Sequence, residues 1–390
     1  MCTLSGNWNY PTNIRFGAGR IAELPDTCRE LGMSRPLLVT DEGLADLDIV
    51  NNALALCESA GIPCGLYSNV RGNPTGENVE GGVEAYKSGN HDGVIAFGGG
   101  SGLDAGKAIA FMANQSRPLW DFEDVGDNWL RAELDGLCPV VAVPTTSGTG
   151  SEVGRASVIT DSEHHVKKII FHPRMLPAIA LSDPELTVAL PAHITAAVGM
   201  DALSHCLEAF FAPFYHPMAR GIAVEGSRLV QQWLPTAVAD GGHIEARSHM
   251  MVASQSGATA FQRGLGGMHA LAHSLGAVYN AHHGLLNAVL MPYVLEANAS
   301  VISEDAGYLA NCLGLGPTHD DLVQWVLKLR NEVGIPHTLA GMDLNADEAE
   351  RIGVMAVEDP SAGGNPIQFT AEQYAEIFRC AVQGEWPADL

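Results

Sequence analysis

Four of the chain's fifteen histidines fall within residues 266–284, GGMHALAHSLGAVYNAHHG, among small and apolar neighbours. Imidazoles at this density in a stretch that reads as buried helix need partners, because burying a polar ring without one is costly. A second stretch, GMDALSHCLEAF, sets Asp201 and His205 four residues apart, which puts a carboxylate and an imidazole one turn apart on the same helix face. An aspartate with three imidazoles makes an N₃O donor set for a borderline divalent ion such as Fe²⁺ or Zn²⁺, whereas Mg²⁺ or Ca²⁺ would call for more oxygens. Spacing alone leaves open which of His269, His273, His282 and His283 are ligands. His164, His165, His243 and His249 read as ordinary surface or hydrogen-bonded histidines.

A different chemistry is suggested nearer the start. VIAFGGGSGLDAGKAIA is a buried strand running into Gly98, Gly99, Gly100, Ser101 and Gly102, then into a helix that carries Asp104 and Lys107. A strand, glycine turn and helix start of this kind hold a pyrophosphate, because residues without side chains let the backbone approach and the helix amides point at the anion. The segment from Gly100 to Ala105 fits G-x-G-x-x-A, but Ser101 and Ala108 exclude a Walker A loop. LLVTD ends in Asp41, a carboxylate suited to accept both ribose hydroxyls of an adenosine and to repel a 2′-phosphate, or equally to cap the next helix. VPTTSGTGSE adds Thr145, Thr146, Ser147 and Thr149 in a third loop at the same sheet edge, which fits a dinucleotide crevice better than coincidence.

The elements that must position these residues follow from patterning. RPLLVTD, GVIAFGGG, CPVVAVPTT and AIALSDP read as strands apolar enough to be covered on both faces, with CGLYSNV a weaker fifth. Alternation of such runs with helical stretches predicts a parallel sheet over residues 1–185, and the change to a 3.6-residue period predicts an all-helical domain over residues 186–390. At 390 residues the chain has material for two cores, and two domains sharing a cleft are the expectation. A formal charge of −24, with no offsetting basic cluster, disfavours nucleic acid and anionic membranes as partners. With no apolar run long enough to span a bilayer and no signal-like start, a cytoplasmic location is expected. The eight cysteines contain no C-x-x-C pair, which predicts reduced thiols rather than a disulfide framework or a thiolate zinc site.

Taken together, FGGGSGLDAGKAIA, VPTTSGTGSEV, LSDPELT, GMDALSHCLEAF and GGMHALAHSLGA…HHG resemble the iron-containing, group III alcohol dehydrogenases in both order and spacing. The resemblance implies an α/β dinucleotide-binding domain followed by an all-α metal-binding domain, the fold shared with the dehydroquinate synthases. It makes Asp201, His205, His269 and His283 the metal ligands and leaves His282 a neighbour. It assigns the glycine loop and TTSGTGS to NAD, with Asp41 at the adenosine ribose, Asn73 of NPT near the adenosine half, and Lys167 of HVKKII as a further contact. The implied reaction is hydride transfer between a small primary alcohol and NAD, with His273 as the proton relay, since an imidazole beside a cationic centre stays neutral and able to accept a proton.

The same architecture serves glycerol dehydrogenase, maleylacetate reductase and dehydroquinate synthase, and a rival outside catalysis is a metal-dependent binding or sensing protein that keeps the fold. A dehydroquinate synthase-like lyase would need several basic residues to grip a phosphorylated acid, and the helical half has few basic clusters. Many relatives carry Arg after the C-terminal Asn-Pro where this chain has Ile367, a change at the expected substrate end. Relatives commonly dimerise through an N-terminal strand, a role NWNYPTNIRFG would fill.

Overall fold

The computed structural model describes residues 13–387, which divide between Ala189 and Leu190 into two compact units. In the N-terminal unit, six strands form one parallel sheet: β1 (Asn13–Phe16), β2 (Pro36–Val39), β3 (Gly65–Tyr67), β4 (Gly93–Gly98), β5 (Val140–Pro144) and a last strand at Ile179–Ser182, in the spatial order β1, last strand, β5, β4, β2, β3. The alternation of side chains across a pleat is visible in the packing. Leu37, Val39, Val94, Ala96, Val140 and Ala142 join one apolar cluster, while their chain neighbours Leu38, Ile95, Phe97, Val141 and Val143 join another. Both faces are therefore covered, as continuous apolar runs require. From β2 the chain moves outward to β3, and from β4 it moves the other way to β5. The order thus reverses between β2 and β4, the place where open α/β sheets bind ligands.

The sequence reading expected the N-terminal strand only as a dimerisation segment and did not include a hairpin. Asn13–Phe16 pairs in parallel with Ile179–Ser182 as an edge strand of the same sheet, and residues 7–12 of the expected dimerisation segment lie outside the described residues. A separate antiparallel hairpin joins β6 (Ala156–Asp161) to β7 (Val166–Phe171), which makes Ile179–Ser182 β8. Its strands are only half buried and rich in polar residues, so they lack the apolar run that marks the main sheet. The hairpin is tied to the NPT loop by Thr160 N–H, which donates to the Pro74 carbonyl at 2.7 Å.

Every regular element among the described residues of the C-terminal unit is a helix. Its central helix, spanning Ala192–Phe211, is buried at every residue from Thr195 to Phe211, the signature of a helix enclosed on all sides. It packs against helices at Pro217–Ala239, Ile244–Ala260 and His283–Ala297, and the helix at Gly267–Tyr279 packs on the last of these. With helices at Leu24–Glu30 (α1), Asp48–Ser59 (α2), Gly76–Ser88 (α3) and Gly100–Met112 (α4) before them, these five are α5 to α9 in the order Ala192, Pro217, Ile244, Gly267, His283. Gly284 is required by the close approach of α9 to α5: a Cβ there would lie 2.7 Å from the Ala197 carbonyl oxygen. No single helix among the described residues is long and apolar enough to cross a membrane.

Candidate metal centre and dinucleotide loops

Asp201 and His205 project from α5, His269 and His273 from α8, and His283 is the first residue of α9. One ligand atom from each of Asp201, His205 and His269 lies within 4.8 Å of the others, and all three residues are buried. The His205 and His269 rings stack with centroids 4.7 Å apart. His283 stands slightly outside this group, its Nε2 3.7 Å from Asp201 Oδ1, with a side chain still 23% exposed. Asn287 Nδ2 lies between them, 2.9 Å from Asp201 Oδ1, 3.1 Å from His283 Nε2 and 3.3 Å from His269 Nε2.

Behind this set stands Glu208, one further turn along the α5 face that carries Asp201 and His205. Its carboxylate accepts Nδ1–H of His269 at 2.6 Å and the backbone N–H groups of Gly266 and Met268 at 2.8 and 2.6 Å, at the N-terminus of α8. Burial opposes protonation of His269, but the Glu208 carboxylate outweighs it and holds the ring's pKa above its ordinary value. With Nδ1 committed to Glu208, Nε2 is the nitrogen left to meet a cation, the arrangement found behind metal-bound histidines.

His273 is also held from behind. Its Nδ1 pairs with Asp359 Oδ2 at 2.9 Å, both side chains being buried, and Asp359 Oδ1 accepts the Ser361 N–H at 2.8 Å. Burial pushes the Asp359 carboxyl up, but His273 and Ser361 together hold it below the ordinary value. The His273 ring stacks on His283 with centroids 5.2 Å apart. His282, by contrast, is spent as a helix cap, its Nδ1 accepting the Leu285 N–H at 3.3 Å. Ile367 packs against the core of the helical unit, so the position where Arg is frequent carries apolar bulk here.

The residues fit a divalent ion. Nitrogen and carboxylate donors converge in a buried pocket, one tautomer is fixed by Glu208, and Asn287 Oδ1 is buried there with no hydrogen-bond partner among the described residues.

In the N-terminal unit, the loops after β2, β4 and β5 meet at the carboxyl ends of three adjacent strands. Gly98 takes φ +140°, a backbone conformation that L side chains rarely adopt, and its carbonyl accepts the Thr145 N–H at 2.9 Å. A Cβ on Gly100 would lie 2.7 Å from Thr149 Cγ2, so the glycine leaves open a cradle that any side chain would fill. A Cβ on Gly99 would lie 3.2 Å from the Thr146 methyl, and one on Gly98 3.5 Å from Asp41 Oδ2, placing Asp41 beside the glycine turn. The Asp41 carboxylate accepts the Gly43 N–H at 3.0 Å, and burial pushes its pKa up. The hydroxyls of Thr145 and Ser147 are buried without partners among the described residues, as donors awaiting a ligand would be. These observations fit a dinucleotide.

The remaining predicted residues are tied into the unit. Ser101 Oγ donates to the Gly72 carbonyl at 2.8 Å, linking the glycine loop to the loop that carries Asn73. Lys167 lies on β7 opposite Thr160, whose N–H holds that same loop. Asp104 is engaged within the unit: it accepts the Ser151 hydroxyl and the Val158 N–H and pairs with buried Lys107 at 3.2 Å, bracing α4 against β6. Glu208, Asp359 and Asn287 were missed by sequence reasoning. Glu208 and Asn287 were accessible, one lying three residues beyond His205 and the other four beyond His283. Asp359 is 86 residues from its partner, beyond any local pattern.

Comparison with known proteins brings these parts together. A family profile described as iron-containing alcohol dehydrogenase matches residues 11–184, and the C-terminal profile of the Fe-containing alcohol dehydrogenase family matches residues 195–382. The chain is 37% identical over 379 residues to a 4-hydroxybutyrate dehydrogenase of Cupriavidus necator, covering 95% of this chain and 98% of that one. It is 32% identical to an NAD-dependent methanol dehydrogenase of Bacillus methanolicus, covering 96% and 100%. The structure superposes on an alcohol dehydrogenase from Oenococcus oeni with a TM-score of 0.91 at 30% identity, covering 97% and 100%.

Proposed function

Because this chain belongs to the iron-containing alcohol dehydrogenase family, we propose that it interconverts a small primary alcohol and its aldehyde, with NAD as the partner dinucleotide. The observation that carries the metal half is the convergence of Asp201, His205 and His269 within 4.8 Å, with Glu208 fixing the third. Those three residues and His283 would hold one Fe²⁺ or Zn²⁺, and the loops of Asp41, Gly98–Gly102 and Thr145–Thr149 would hold NAD. When bound, the ion supplies Lewis acidity toward the alcohol or carbonyl oxygen and the dinucleotide supplies the hydride acceptor.

The chain's own residues do the rest. Asp41 selects the dinucleotide by charge, and His273, steadied by Asp359, carries the alcohol proton away. Asn73 would contact the adenosine half of the dinucleotide, and Lys167 would be a further contact. A homodimer or higher homo-oligomer in the cytoplasm completes it. The test is NADH absorbance with a panel of short primary alcohols on iron- and zinc-reconstituted protein. Turnover with at least one alcohol is expected, and none with any alcohol on either metal would overturn the reading.

Two outcomes follow directly. His273→Ala will keep its metal and its dinucleotide affinity while turnover falls on the order of a hundredfold, since general acid–base steps contribute about that much. Loss of metal equal to that in His269→Ala would make His273 a ligand instead. Asp41→Gly will lower the ratio of catalytic efficiencies for NAD over NADP by about tenfold or more, because it removes the charge that repels a 2′-phosphate. Equal efficiency with both cofactors in the unaltered protein would contradict that role.

A further inference from the structure

We propose that Cys57 and Cys64 form an oxidisable dithiol in the N-terminal unit, which hydrogen peroxide or a small organic hydroperoxide converts to a Cys57–Cys64 disulfide. Three thiols are brought together there from separate elements: Cys28 from α1, Cys57 from the last turn of α2, and Cys64 from the stretch that leads into β3. The Cys57 sulfur lies within hydrogen-bond reach of both of the others and so stands in the middle. Cys28 and Cys57 are fully buried in the apolar cluster on one face of the sheet, and Cys64 packs against that cluster while keeping part of its surface open. The group sits at the amino end of β3, where Gly65 pairs with Leu37, whereas the dinucleotide loops leave the carboxyl ends of the strands.

The nucleophile toward a peroxide is the thiolate, and the middle sulfur is the one placed to carry the charge. Donation from the Cys28 and Cys64 thiols holds Cys57 below the ordinary thiol range, with the Arg29 guanidinium assisting, and this outweighs the burial that pushes it up. Arg29 is fixed close by, donating to the Ala60 carbonyl at 2.5 Å just past the end of α2. Cys28 and Cys64, as the donors, are pushed above that range. In the first step the Cys57 thiolate attacks one peroxide oxygen, the O–O bond breaks, hydroxide leaves, and Cys57 becomes a sulfenic acid. In the second the Cys64 sulfur attacks the Cys57 sulfur, the S–O bond breaks, and the departing hydroxide takes up the Cys64 proton as water. The two thiols lose two electrons to the peroxide, and with the proton that Cys57 gave up on ionising, hydrogen peroxide leaves as two waters. Cys64 rather than Cys28 completes the link, because sulfurs at hydrogen-bond distance must still close to a bond of about 2.05 Å. Cys64 lies in a stretch without regular structure between α2 and β3 and can shift, whereas Cys28 and Cys57 are both held in helices.

The test is treatment of the purified full chain with hydrogen peroxide, quenched with catalase, alkylated under denaturing conditions and read by peptide mass spectrometry, with Cys312 as the internal reference. Cys312 is exposed, so accessibility alone would have it react first. Cys57 and Cys64 should instead be lost to alkylation together, at least about tenfold faster than Cys312, because thiolate character sets the rate. They should reappear as a reduction-sensitive link between the peptides on either side of Glu58. Cys64→Ser should let the Cys57 sulfenic acid persist long enough to be trapped by dimedone, and Cys57→Ser should slow oxidation of Cys64 to the pace of Cys312 or below. Circular dichroism confirms the fold of each variant, and the measurement on the unaltered protein is decisive without them. Oxidation of Cys312 while Cys57 and Cys64 remain free thiols would overturn the proposal. So would a link made to Cys28 instead of Cys64, or an unchanged rate at Cys64 in Cys57→Ser.

Discussion

His269→Ala and His283→Ala will each lose the bound metal, and with it on the order of a thousandfold or more of alcohol turnover, the several kcal/mol that a Lewis acid contributes to such a step. His282→Ala, one residue from His283, will keep both. The contrast follows from what each ring does in the fold. His269 presents Nε2 to the pocket because Glu208 holds its Nδ1–H, and His283 presents Nε2 to Asp201 and Asn287. The His282 ring instead accepts the Leu285 N–H and closes the first turn of α9. Elemental analysis of the three purified variants checks the outcome. Full metal content in His269→Ala or His283→Ala would remove that residue from the ligand set.

Glu208→Ala will produce the second large effect, and it will register in stability as well as in metal content. The carboxylate is buried and satisfies three donors: the His269 ring and the backbone N–H groups of Gly266 and Met268. Truncation leaves all three buried donors without their acceptor, and deleting one partner of a buried charged network costs about 3–5 kcal/mol. Metal affinity should fall about 10- to 100-fold, because the His269 ring loses the group that fixes its tautomer and orientation. Glu208→Gln keeps the shape and one acceptor oxygen but not the charge, so its losses should be smaller on both counts. Chemical denaturation and metal titration of the two variants measure this. Unchanged stability and affinity in Glu208→Ala would show that the carboxylate does not support His269.

The parts of this architecture that sequence reasoning reached are those written in local periodicity. Strands β2, β4, β5 and β8 are buried on both faces and therefore read as unbroken apolar runs, and a buried α5 betrays itself by the polar residues it nevertheless carries, Asp201 and His205 one turn apart. The β6–β7 hairpin escaped because it lies outside the main sheet with half-exposed, polar strands. Asp104 is legible from its place after the glycine turn, whereas the Val158 N–H that it accepts comes from the missed hairpin. The histidine doublet was beyond spacing alone, since either ring fits a ligand a few residues after α8; the resemblance chose His283, and the structure has the neighbouring His282 capping α9. Asp359 illustrates the general limit, for the contact that orients His273 is made between segments whose separation carries no periodic signal.

The reduction of NAD by short primary alcohols before and after chelation bears most directly on the proposed chemistry. Stripped protein should lose NADH formation while keeping its fold, and one equivalent of Fe²⁺ or Zn²⁺ per chain should restore it in the unaltered protein but not in His269→Ala. NADH formation that survives complete removal of the metal would contradict a reaction built on Asp201, His205, His269 and His283.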